Sequence, residues 1–361
     1  MTWRWPIRTL LIAILAGAGG CATTPPDAVP IGQQALDEFL APARDARVLG
    51  ITTYQDAAGP RFESANRLHL GQAAQLDFIS PRNLPMPVIR AQTGMKVEFP
   101  LLLDSSARQS WLLLESVPAM EYRPFAPPAG EYPDHVVSDI PGYVGAGNTL
   151  ILDLLHIEYP IFYVPPARGR LGPLARIESG GRQTAARRAL AGRLPAVMGA
   201  ALMRSFAFIR FDFPNRTVCF SSDTPYRPAA PEAVYARLPL LDWRGRPAVE
   251  GLLNGKPVTL ILDTAGDFDL SCPGRHSADQ TGKLVLGDWP VDDVKLTAHA
   301  ALGLPEDFPV RLGLGVLSRS AVTFDFRNRT VWFEGKPLPG GKKSATNPGD
   351  DTPIQYRGIT R

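Results

Sequence analysis

Two aspartates stand out by their position in the chain. Asp104 ends the run Val97-Glu98-Phe99-Pro100-Leu101-Leu102-Leu103, and Asp263 ends Val258-Thr259-Leu260-Ile261-Leu262. Each is followed by a hydroxyl residue and small residues, Ser105-Ser106-Ala107 in one case and Thr264-Ala265-Gly266 in the other. A carboxylate closing a buried strand is costly unless donors or a partner satisfy it. Taken singly, Asp-Ser-Ser or Asp-Thr-Ala reads as an aspartate capping its own turn. Two of them allow more chemistry. If the two sites meet, like charges a few ångströms apart do not both ionise near neutral pH, so the pair shares one proton. One carboxylate then serves as base and the other as acid around a single water.

The elements that must position this pair are written twice. Phe211-Asp212-Phe213-Pro214-Asn215-Arg216-Thr217-Val218-Cys219-Phe220 and Phe324-Asp325-Phe326-Arg327-Asn328-Arg329-Thr330-Val331-Trp332-Phe333 agree at eight of ten positions, at an offset of 113 (324 − 211). Each predicts a hairpin, with a turn at Pro-Asn-Arg or Arg-Asn-Arg and a β-branched, aromatic return strand. Upstream, Val197-Met198-Gly199-Ala200-Ala201-Leu202 corresponds to Arg311-Leu312-Gly313-Leu314-Gly315-Val316-Leu317. The aspartates are 159 apart (263 − 104), so the first copy carries 46 extra residues (159 − 113) between its Asp and its hairpin. A duplicated β domain with an elaborated first half follows. The 361-residue length is that of about two domains. The 33 glycines and 36 prolines argue against long helices, and the 45% hydrophobic content is enough for real cores. A formal charge of +3 gives no sign of nucleic-acid binding. The five histidines and three cysteines have no metal-ligand spacing, so neither a metal nor another cofactor is expected.

An apolar strand ending in Asp-Thr/Ser, a Gly-containing turn after another apolar strand, and a closing Phe-Asp-Phe hairpin resemble the retropepsin-like aspartic proteases. Two such units in one chain resemble the bilobal pepsin arrangement. The resemblance covers 66–222 and 231–335, and it is fuller in the second unit, with a turn at Asn254-Gly255-Lys256, a strand and turn at Lys283 to Asp288, and a further strand at Val294-Lys295-Leu296. It implies a mainly β fold of two β-barrel lobes related by pseudo-twofold symmetry, a monomer, and a polypeptide substrate. Carried over, Asp104 and Asp263 are the water-activating pair, Ser105 and Thr264 cross-link the two loops, and Gly199 and Gly313 pack against them. The family pattern has glycine where this chain has Ser106 and Ala265, which costs energy if the loops need φ > 0 and nothing if φ is negative. Two functions therefore stand: an aspartic-type endopeptidase acting through activated water, and a catalytically inactive relative that binds peptides in the interlobe cleft. The Gly-rich stretch from Asp139 to Leu152 resembles the flap of pepsin-like enzymes, with Tyr143 as its aromatic. The same stretch also fits an ordinary surface hairpin.

The N-terminus reads as an address. Arg4 and Arg8 precede an apolar run from Leu10 to Ala16, and Ala18-Gly19-Gly20 leads into Cys21. This resembles a bacterial lipobox, with Ala18 where leucine is usual, and implies a signal peptide over 1–20 and lipidation at Cys21; an ordinary secretory signal is the alternative. A tether over 21–32 and a segment over 33–65 precede the first lobe, a linker over 223–230 joins the lobes, and a Gly/Pro/Lys-rich tail occupies 336–361. The expected location is the bacterial envelope, facing the periplasm and held to the membrane by lipid, with Ala22 favouring the outer membrane. The Ala-rich stretch Arg182 to Arg193 predicts a short basic helix. Cys219 and Cys272 fall in different lobes, as a free pair or an interlobe disulfide.

Overall fold

Leu101, Leu102 and Leu103 are fully buried, as are Leu260, Ile261 and Leu262, because both runs lie inside sheets covered on both faces. The computed structural model describes residues 67–126, 143–164 and 194–335 apart from isolated positions, with short segments within 29–64, 136–141 and 167–168. The expected signal peptide, Cys21, the basic helix at 182–193 and the tail lie outside the described residues. Within the expected tether, Val29–Pro30 pairs with Ala167–Arg168.

The two repeats share one topology. In the first, strand Glu98–Asp104 runs parallel to Ala196–Gly199, which pairs antiparallel with Trp111–Leu112. In the second, Lys256–Leu262 runs parallel to Val310–Leu312, which pairs antiparallel with Leu270–Cys272. Each aspartate strand is also the return arm of a hairpin, from Val88–Thr93 in the first copy and Arg246–Leu253 in the second. The turn of the second hairpin, Asn254-Gly255, has φ of 51° and 78°, the left-handed pair that a tight two-residue hairpin requires.

The closing hairpins build a six-stranded sheet that joins the lobes, with Phe208–Asp212 antiparallel to Ala321–Asp325 at its centre. Arg210 faces Thr323 there, and their separation of 113 (323 − 210) equals the repeat offset, so the pseudo-twofold axis passes through this pair. The repeated Asp-x-x-Asn is explained by turn chemistry. Asp212 accepts from the Asn215 amide at 3.2 Å, and Asp325 accepts from the Asn328 amide at 2.9 Å, each aspartate closing its own hairpin. Phe211 and Phe324 pack edge to face at 5.6 Å across the axis. The architecture is mainly β with barrel-like sheets, built from two units of matching topology. No helix among the described residues is long and apolar enough to cross a membrane.

The extra residues of the first copy widen its sheet to eleven strands. Tyr143–Ala146 lies between Ile161–Val164 and Arg123–Ala126, whereas Thr149–Leu152 pairs with Leu155–Glu158 and Val88–Thr93. Within the Gly-rich stretch, Ile140–Pro141 pairs with Val136–Val137, and Tyr143–Ala146 and Thr149–Leu152 take different partners and do not pair with each other. Cys219 and Cys272 are both free thiols.

Candidate active site

The loops that follow the two aspartate strands lock together through their hydroxyl residues. The Ser105 hydroxyl donates to the Leu262 carbonyl at 2.6 Å and accepts from the Thr264 amide at 3.1 Å. Reciprocally, the Thr264 hydroxyl donates to the Leu103 carbonyl at 2.8 Å and accepts from the Ser105 amide at 3.0 Å. Four buried hydrogen bonds cross from one lobe to the other, and each hydroxyl uses its donor and an acceptor lone pair.

Gly199 and Gly313 back these loops. A β-carbon on Gly199 would overlap the Gln109 carbonyl, and one on Gly313 would overlap the Phe268 carbonyl. The residue after each glycine then donates its amide to the loop of its own lobe, Ala200 to the Ala107 carbonyl and Leu314 to the Gly266 carbonyl, both at 2.7 Å. Neither Ser106 nor Ala265 has a positive φ, so a β-carbon at these positions adds no left-handed strain.

The carboxylates themselves are 0% and 1% exposed at Asp104 and Asp263. Oδ1 of Asp104 accepts from the Ser106 amide at 2.9 Å, the Ser106 hydroxyl at 2.7 Å and the Ala107 amide at 3.1 Å. Its Oδ2 is buried with no hydrogen-bond partner among the described residues. Oδ1 of Asp263 accepts from the Ala265 amide at 3.1 Å. Burial first, and then the charge of Asp263, push the Asp104 carboxyl up from 3.8 to about 6, against the Ser106 hydrogen bonds and the Arg311 charge.

Sequence reasoning missed Arg311. It is 8% exposed, and one of its terminal nitrogens donates to Oδ2 of Asp263 and to the Ser106 hydroxyl, both at 2.6 Å. Phe268 lies against it, 5.9 Å from ring centre to guanidinium carbon. The signal was present in the repeat: Val197-Met198-Gly199 set against Arg311-Leu312-Gly313 places a charge in a buried apolar strand, and a charge there needs a buried partner. The neighbouring strand has changed with it. Arg311 is paired across the ladder with Ser271, where the first lobe pairs Val197 with Trp111. The Ser271 hydroxyl lies 2.6 Å from Nδ1 of His299, whose Nε2 lies 3.0 Å from the Phe308 carbonyl. Since that carbonyl only accepts, Nε2 carries the proton and Nδ1 accepts from the serine. Burial, joined by the Arg311 charge, lowers the His299 pKa.

Over the first loop, Nε of Arg246 donates to the Ser106 carbonyl at 2.9 Å, and Arg246 rests against Phe308 and Trp243, 5.5 and 5.8 Å from their ring centres. The Tyr143 backbone lies in the first-lobe sheet described above. No group of three or more His, Cys, Asp or Glu residues among those described could hold a metal.

No protein-family model and no curated protein matches the chain. Among solved structures, the chain is similar to Basic 7S globulin from soybean, with a TM-score of 0.43 and 12% identity, covering 73% of this chain and 95% of that one. It is likewise similar to the aspartic proteinase from Irpex lacteus, with a TM-score of 0.44 and 11% identity, covering 73% of this chain and 97% of that one.

Proposed function

We propose that the chain is an aspartic-type endopeptidase of the bacterial envelope, anchored through a lipidated Cys21, that hydrolyses extended polypeptide with water activated between Asp104 and Asp263. The observation that carries this reading is the pair of buried carboxylates on cross-linked loops, one from each lobe, with Asp104 raised to about 6. In this reading the water binds at Oδ2 of Asp104, a buried oxygen with no partner among the described residues. Asp263 takes a proton from that water as its oxygen attacks the scissile carbonyl carbon, and Asp104 gives its proton to the carbonyl oxygen. Collapse of the tetrahedral intermediate breaks the C–N bond. The proton held by Asp263 passes to the leaving amine, and Asp104 recovers its own from the intermediate. No covalent enzyme intermediate is involved.

A second reading, a cleft that binds polypeptide without cutting it, is favoured by one specific contact, the ion pair of Arg311 with Asp263 at 2.6 Å. Incubating the purified protein with an unfolded polypeptide mixture at acidic pH separates the two. The endopeptidase reading expects new internal cleavages that disappear in Asp263→Asn. Polypeptide capture by both proteins with no cleavage by either would establish the binder.

A further inference from the structure

We infer that Arg311 and Ser106 form one positioning unit that divides the work of the two aspartates, assigning the ion pair to Asp263 and leaving Oδ2 of Asp104 as the only place for the acid proton. The inference rests on the endopeptidase reading above and adds to it an asymmetry between the two copies, set by Ser106 against Ala265 and Arg311 against Val197.

Hydrogen-bond polarity fixes the arrangement. A guanidinium only donates, so the Ser106 oxygen accepts from Arg311 at 2.6 Å and must turn its own proton to Oδ1 of Asp104 at 2.7 Å. That oxygen already receives two backbone amides, which fills it as an acceptor. A proton on Asp104 therefore belongs on Oδ2, which is buried and has no partner among the described residues. On the other side, the Asp263 oxygens receive Arg311 and the Ala265 amide.

The two departures from the repeat explain each other. With glycine at 106 the guanidinium would lose one of its two acceptors, and with valine at 311, as at position 197, the serine hydroxyl would have no donor from the other lobe. The charged groups facing Asp104 are Asp263 and Arg311, and Arg246 holds the Ser106 carbonyl. His299, behind Ser271, is a further titratable group near Arg311, and burial lowers its pKa. Arg311 and Ser106 act through the aspartates and are positioning residues.

The test is Arg311→Val, with Arg311→Lys as the variant that keeps a charge and Ser106→Gly to remove the relay. Two readouts are taken: the pH dependence of peptide cleavage, and the titration of the Asp104 carboxyl by carbon NMR, which needs no turnover. Removing Arg311 takes away a charge that favours ionised Asp104, so both midpoints should rise by about one pH unit or more. Lysine should restore part of the shift, and Ser106→Gly should also move the midpoint upward. An unchanged Asp104 titration in both Arg311→Val and Ser106→Gly overturns the inference. So does a gain in cleavage at every pH on removal of Arg311, which would make the arginine a block. If Asp104 titrates as expected but no protein cleaves, the positioning unit stands and the endopeptidase reading fails.

Discussion

Asp104→Asn should make the protein more stable at neutral pH and abolish part of its pH dependence. Asparagine keeps an acceptor oxygen for the three donors on Oδ1 and removes the charge. The folded-state pKa of Asp104 is raised from 3.8 to about 6, so its protonated form is favoured by folding. That contribution is complete below the unfolded value and is lost as the pH rises through about 6. A rise of roughly two pH units corresponds to about 3 kcal/mol. Urea unfolding of both proteins across this range supplies the measurement, because groups that do not interact with Asp104 titrate alike in both and cancel in the difference. Near pH 4 the two should differ little, and near pH 7 the variant should be more stable by about 3 kcal/mol at most. A difference that stays constant across the range would refute the burial of an ionising Asp104 beside Asp263.

Other perturbations probe the frame and the anchor. Ser105→Ala and Thr264→Ala each remove two buried inter-lobe hydrogen bonds and should each cost about 2–4 kcal/mol in urea unfolding. The two hydroxyls make four different bonds but hold the same two packed loops together, so the double variant should cost less than the two together; additivity would mean the cross-link is not a unit. Asp325→Ala leaves the Asn328 amide and side chain without their acceptors and should lower stability by about 2 kcal/mol, read as a lower melting temperature with the fold retained. Cys21→Ser should release the protein from membranes without changing its circular dichroism, since one lipidated residue is the proposed anchor; sedimentation with membranes after a salt wash would count against it.

The repeat made the fold legible. The eight matching positions at 211–220 and 324–333 located both hairpins, and the apolar runs ending at Asp104 and Asp263 located the central strands. The strands reach further than the matched residues, to Phe208 and Ala321, because backbone pairing across the axis continues where sequence identity stops. Partners of the Gly-rich stretch were only partly legible: Thr149–Leu152 turns back locally on Leu155–Glu158, whereas its pairing with Val88–Thr93 and that of Tyr143–Ala146 with Arg123–Ala126 and Ile161–Val164 are non-local, which local turn chemistry does not specify. Within the site, Asp104 and Asp263 were singled out by residue type and symmetry, and Ser105 and Thr264 by the family resemblance. Arg311 was not, because symmetry directs attention to what the copies share, whereas Arg311 is where they differ. Ser106 was read as a lost glycine, a question of backbone space, when its hydroxyl is what joins Arg311 to Asp104.

The most direct test of the central claim is the pH dependence of kcat/KM for cleavage of an unfolded polypeptide by the wild-type protein, measured beside Asp104→Asn and Asp263→Asn. One acid proton on Asp104 predicts cleavage that falls as the pH rises through about 6. Both variants should lose activity by orders of magnitude, because the carboxylates act as a unit. Cleavage that persists in either variant, or a folded wild-type protein that cleaves nothing at any pH on either side of that midpoint, would contradict it.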